Sequence, residues 1–142
     1  DIFYTSLFTD HNTNRAKGVA CTDTLFGIAG IVNEMLVYSD RSTIELFPAL
    51  SSRIPDGKVC GLMTRAGVRI DSLEWCINTG TEGLKTDMKD GFYIELKITA
   101  LRDTEFGLIL KNENFNEMSK EDKALFNQNI KLKSGEKYAI LL

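Results

Sequence analysis

From Thr24 to about Ser39, apolar residues recur at intervals of three and four positions: Leu25, Ile28, Ala29, Val32, Met35 and Leu36. That spacing lines one face of an α-helix and predicts one here. Thr22 or Asp23 stands where an N-cap belongs, its side-chain oxygen free to accept a backbone N–H of the first turn. Gly27 and Gly30 lie inside this helix and cost about 1 kcal/mol each relative to alanine. Close approach of another backbone would offset that cost.

After Ser39 the period changes from helical to alternating. Short β-type runs separated by turn residues cover Thr43 to Phe47, Lys58 to Thr64, Val68 to Ile77, Phe92 to Leu101, Glu105 to Lys111 and Asn129 to Leu142. Their number and spacing predict an antiparallel sandwich. In the last run Ile130 and Leu132 alternate with polar residues, Ser134 and Gly135 form a turn, and Tyr138, Ile140 and Leu142 alternate again. This pattern reads as a hairpin. Ser119 followed by Asp122 resembles a capping box with an acid in place of the usual Glu, so a helix of about two turns is expected from Lys120 to Asn127. The first 22 residues mix Phe3, Tyr4 and Phe8 with a polar stretch, Thr9 to Lys17, that follows neither period and reads as loop or extended chain.

The fold class expected is therefore α+β: one long N-terminal helix followed by a mainly antiparallel, β-sandwich-like domain with one short helix. A lone amphipathic helix needs a surface on which to bury its apolar face. An upstream helical domain would supply it; without one, the face of Leu25, Ile28, Val32 and Met35 would be exposed unless it folds back on the sheet or self-associates, so oligomerisation is expected.

Composition narrows the classes of function. The 142 residues are 43% hydrophobic and 26% charged, enough for one domain with a true core. With 17 basic against 20 acidic residues, a net charge of −3 and no basic run, nucleic acid is not an expected partner. The richest apolar stretch, Leu25 to Val37, is broken by Gly27, Gly30, Asn33 and Glu34 and falls short of the ~20 residues that span a bilayer, so no membrane partner is expected. The chain begins at Asp1 with neither Met nor a basic-then-apolar leader, which reads as a processed product or, the favoured expectation, a piece of a longer protein. Cys21, Cys60 and Cys76 cannot all pair and make no CxxC, so no metal site is expected and buried free thiols are the simplest reading. Nothing points to a cofactor.

An ordered set of motifs resembles the C-terminal region of the glycoside hydrolase family 95, the α-L-fucosidase-like enzymes of bacteria. Asp23 to Gly27 (DTLFG) followed by Ile28 to Leu36 (IAGIVNEML) is similar to the family's DGNFG and TAGIAEMLL helix. Ile44 to Leu50 (IELFPAL) resembles LLPALP. Pro55, Asp56, Gly57, Val59, Gly61, Leu62, Arg65 and Gly67 follow DGSVKGLRARGG, Glu74 and Trp75 follow EW, and Leu132 to Tyr138 (LKSGEKY) follows LKAGESY. Residues 79–128 carry no motif of the family.

The resemblance implies that residues 1–39 are the terminal segment and last helix of a catalytic (α/α)6 barrel, and that residues 40–142 are a C-terminal β domain. It also implies a parent enzyme that hydrolyses α-L-fucosyl or related α-galactosyl glycans with inversion, secreted, periplasmic or at the cell surface. The partners it implies are the upstream barrel and a glycan substrate. By position Asp23 matches the family's general base, and His11, which follows Leu7, Phe8 and Asp10, matches a substrate-binding His.

Inversion needs a second carboxyl group as acid, roughly 6.5–9.5 Å from the base. In the family that acid is a Glu upstream, so this chain alone is expected to be inactive. Thr24 and Leu25 replace the family's Gly and Asn, which removes an amide able to bind sugar or water. The plainer readings are that Asp23 only caps the helix, that His11 lies on an exposed loop, and that Trp75, between Leu73 and Ile77, packs in the core instead of stacking on a sugar. Glu45, Asp71, Glu74 and Glu95 read as the polar face of a sheet. The rival class is a non-catalytic carbohydrate-binding or interaction module using Trp75 or Tyr93.

Overall fold

The computed structural model describes residues 8–9, 19–20, 22–77, 92–111, 115 and 118–142, with side chains placed from Gly27 onward within those ranges. The chain divides into two compact units, residues 1–33 and 34–142. In the first, β1 (Phe8–Thr9) pairs antiparallel with β2 (Val19–Ala20). Helix α1 (Thr22–Leu36) follows, and its last turn belongs to the second unit.

Beyond α1, the described residues of the second unit form nine strands and a short helix: β3 (Val37–Ser39), β4 (Thr43–Leu46), β5 (Asp56–Val59), β6 (Leu62–Met63), β7 (Val68–Ile77), β8 (Phe92–Ala100), β9 (Thr104–Leu110), α2 (Lys120–Leu125), β10 (Gln128–Leu132) and β11 (Lys137–Leu141). One sheet runs β10-β9-β4-β3; the other runs β11-β8-β7-β5, with β6 also on β7. All pairs are antiparallel except β4 with β9.

The alternation in the sequence dictates this layering. Along β8, Phe92, Ile94, Leu96, Ile98 and Ala100 are buried while Tyr93, Glu95, Lys97 and Thr99 face outward. Along β7, Val68, Ile70, Leu73 and Trp75 are buried, and a bulge at Asp71 shifts the alternation by one residue so that the same face stays inward. From the other sheet Ile44, Leu46, Phe106, Leu108, Ile130 and Leu132 complete one continuous core. Each such side chain contributes about 1.5–3 kcal/mol on burial. Phe115 closes the core beside Phe47 and Phe92, with ring centroids 5.5 and 5.8 Å away.

Several expectations need correction. The chain is mainly β, with strand in 51% of the residues whose side chains are placed, and not an α+β fold led by a long helix. Helix α1 covers 15 residues, only ten of them (27–36) with placed side chains, and it stops at Leu36 instead of Ser39. Val37, Tyr38 and Ser39 pair with Leu46, Glu45 and Ile44, a conformation that suits a β-branched and an aromatic residue. The helix carbonyls of Leu36 and Met35 are taken by the N–H groups of Phe47 (2.7 Å) and Ala49 (3.2 Å). Phe47 holds φ at 57° to make its bond.

The last two strands do not form a hairpin. Ser134 and Gly135 turn the chain as expected, but β10 adds to β9 and β11 adds to β8, so the turn crosses from one sheet to the other. Asp103 bridges this crossing. It lies in the β8–β9 connection, which also changes sheet, and its carboxylate accepts from Ser134 N–H (2.9 Å) and Lys133 Nζ (2.8 Å).

Gly27 and Gly30 are not sites of close backbone approach among the described residues, where a Cβ at either would meet nothing within 4 Å. The run Lys58 to Thr64 is two strands, β5 and β6, because the chain bends at Gly61, whose φ of 76° suits glycine. Helix α2 starts where expected but ends at Leu125 instead of Asn127; Ser119 Oγ accepts from Asp122 N–H at 3.0 Å.

Candidate functional site

The outer face of the β11-β8-β7-β5 sheet gathers most of the described polar chemistry. Register sets it out in rows across the strands: Met63, Arg69, Thr99 and Lys137; then Ser72, Lys97 and Ala139; then Lys58, Glu74, Glu95 and Leu141; then Asp56, Cys76 and Tyr93. Glu74 and Glu95 stand directly opposite each other. Lys58 Nζ lies 3.1 Å from Glu74 and Lys97 Nζ 2.7 Å from Glu95, which balances two like charges that would otherwise repel. The Glu74 hydrogen bond raises Lys58 above the ordinary lysine pKa.

At the bulge, Asp71 accepts from Thr99 Oγ1 at 2.5 Å and from Arg69 Nε at 2.7 Å. These two bonds, Thr99 first, hold its carboxyl below the ordinary aspartate pKa. A group held so is a fixed negative charge at neutral pH and does not serve as a general acid, which needs a raised pKa. Asp103 is lowered likewise by Lys133 and by Ser134 N–H. On the opposite sheet Glu45 faces Lys111 at 3.9 Å.

The four carboxylates read from sequence as polar sheet surface, Glu45, Asp71, Glu74 and Glu95, therefore lie on sheet faces with cationic partners. The Asp71–Thr99–Arg69 arrangement and the apposition of Glu74 with Glu95 were not legible in the sequence. Both depend on strand register and on a bulge that alternation alone does not reveal. Among the described residues no group of three or more His, Cys, Asp or Glu could hold a metal ion, and no helix is long and apolar enough to cross a membrane.

Of the two site residues singled out, His11 lies outside the described residues. Asp23 lies in the first turn of α1, with its side chain outside the described residues. Trp75 is in the core at 4% exposure, its Nε1 donating to the Ile54 carbonyl at 3.2 Å and its ring set edge-on to Phe47. Tyr93 is half-buried on the outer face. Cys76 is buried, but Cys60 is exposed, against the expectation of buried thiols: it follows the end of β5, where the chain turns outward at Gly61. Cys21 lies outside the described residues.

No family model, curated protein or solved structure matches this chain.

Proposed function

We propose that this chain is the C-terminal region of a family 95-like glycoside hydrolase, its sandwich acting as a brace for a catalytic barrel upstream. The reading places Asp23 as the general base of an inverting hydrolysis of α-L-fucosyl or related α-galactosyl glycans, with the acid supplied from upstream. It makes His11 a glycan contact and gives the chain alone no activity.

What supports a brace is the way the end of α1 is held. Leu36 is buried in the sandwich core, the Leu36 and Met35 carbonyls are bonded to Phe47 and Ala49, and Arg65 lies 3.8 Å from Glu34. The last turn is thus a structural part of the sandwich. Glu45, Asp71, Glu74 and Glu95, paired on sheet faces, suit a supporting part better than a reaction centre. The rival carbohydrate-binding reading loses one of its two platforms, because Trp75 is buried, and is left with Tyr93, half-buried on the outer face.

The test is fucose release from an α-1,2-fucosylated oligosaccharide by this chain and by a form extended upstream through a complete barrel, each with its Asp23→Asn variant. Activity confined to the extended form and lost with Asn at position 23 is the expected result. Release by the chain alone, or full activity in the extended Asp23→Asn form, would overturn the assignment.

A further inference from the structure

Strand β11 is a sheet edge, and among the described elements it hydrogen-bonds only to β8. Leu142 and Ile94 exchange both backbone bonds, at 2.9 and 3.2 Å, and Ala100 N–H reaches the Glu136 carbonyl at 2.9 Å. In an antiparallel ladder these fix the phase. Tyr138 and Ile140 turn their backbone groups toward β8, while Lys137, Ala139 and Leu141 turn theirs outward.

The neighbouring edge, β10, is guarded by charge: Lys131 and Lys133 stand on and just beyond it, paired with Glu105 and Asp103. Lysines of this kind keep a strand edge from pairing. β11 has one lysine, Lys137, at its start. Ala139 and Leu141 follow, both exposed, Leu141 at 61%.

We propose that this edge pairs with β11 of a second copy of the chain, antiparallel about a twofold axis through Ala139. Ala139 then faces Ala139 of the second copy, and Lys137 faces Leu141 of the second copy. The outward backbone groups of all three residues find partners, and the two five-stranded sheets become continuous.

Charge favours this register over one centred on Lys137. The row Lys58, Glu74, Glu95, Leu141 meets the edge with Glu95 next to Leu141, and the row Met63, Arg69, Thr99, Lys137 meets it with Lys137 itself. Centring on Ala139 sets Lys137 of each copy opposite Leu141 and in the row of Glu95 of the other, whereas centring on Lys137 would set two lysines face to face, which is unfavourable. An isologous contact of this kind closes on itself as a dimer.

The experiment is light scattering and sedimentation equilibrium on this chain and three variants. Ala139→Pro removes an outward N–H and leaves the β8 ladder intact, the setting in which proline is accepted on an edge. Leu141→Lys and Leu141→Glu change an exposed side chain and keep the fold.

The expected result is a dimer of the unaltered chain whose dissociation constant rises about tenfold or more with Ala139→Pro and with Leu141→Lys. Leu141→Glu, facing Lys137, should keep or tighten it. A chain that stays monomeric, a dimer indifferent to Ala139→Pro, or equal weakening by Lys and Glu at position 141 would each overturn the proposal.

Discussion

The six-membered ring of Trp75 stands against Gly57, its partner across the β5–β7 ladder, so closely that a Cβ at Gly57 would lie 2.5 Å from Cζ2. The strand therefore needs glycine there for space. Backbone and indole occupy what two ordinary side chains would have shared, and the ring is fixed from behind by Phe47 at a centroid distance of 5.3 Å.

Gly57→Ala should accordingly destabilise the domain by about 1–3 kcal/mol, the usual cost of overpacking a filled core. Urea unfolding followed through Trp75, the only tryptophan, measures it. A midpoint unchanged from the parent chain would show that the indole can move aside.

The Asp71 bonds to Thr99 and Arg69 make a pH-dependent contribution. The folded-state pKa is lowered, so the stabilisation is complete above the ~3.9 of an unfolded aspartate. It is lost as pH falls through that value to the folded one. Asp71→Asn should cost about 1 kcal/mol at neutral pH, the scale of a partly exposed ion pair, and its unfolding curve should converge with that of the parent in strong acid. Paired melts at neutral and acid pH check both halves; a constant difference at all pH values would mean that charge is not the cause.

Ser119 caps α2 through Asp122 N–H. Its replacement by alanine should lose about 1 kcal/mol, and Ser119→Asn should recover part of it, since Asn can accept the same bond. Thermal unfolding of the two variants separates a cap from mere packing, which Asn would not restore.

What could be read in the sequence follows the range over which a pattern acts. The spans of β7 and β8 were legible because each is a long alternation with one face buried, and Val68–Ile77 was read to the residue. The partners of strands were not, because alternation marks a face and is silent about which edge is met. Ile130, Leu132, Tyr138 and Ile140 alternate equally well as a hairpin or as strands of two sheets, and what separates the two is pairing with β9 and β8, which lie distant in sequence. Val37–Ser39 was taken into the helix because its apolar spacing also fits a helical turn. The competing ladder with β4 becomes visible only once the fold is formed.

At the candidate site the limit was the same. The surface roles of Glu45, Asp71, Glu74 and Glu95 followed from alternation. The bulge that brings Asp71 beside Thr99 did not, because the residue that shifts the phase is an ordinary polar one. The exposure of Cys60 depended on the bend at Gly61, which a continuous strand reading had smoothed over.

The parallel pairing of β4 with β9 carries a kinetic consequence. β5 to β8 lie between these two strands in the chain, and all four belong to the other sheet. The central ladder of the four-stranded sheet therefore closes a long loop, whose entropy must be overcome before the contact returns anything. Folding should begin in the locally connected β7–β8 layer and finish slowly, with β3 and β4 waiting as an unmatched ribbon until β9 arrives. In that interval the buried side of β4, Ile44 and Leu46, is open to any passing strand.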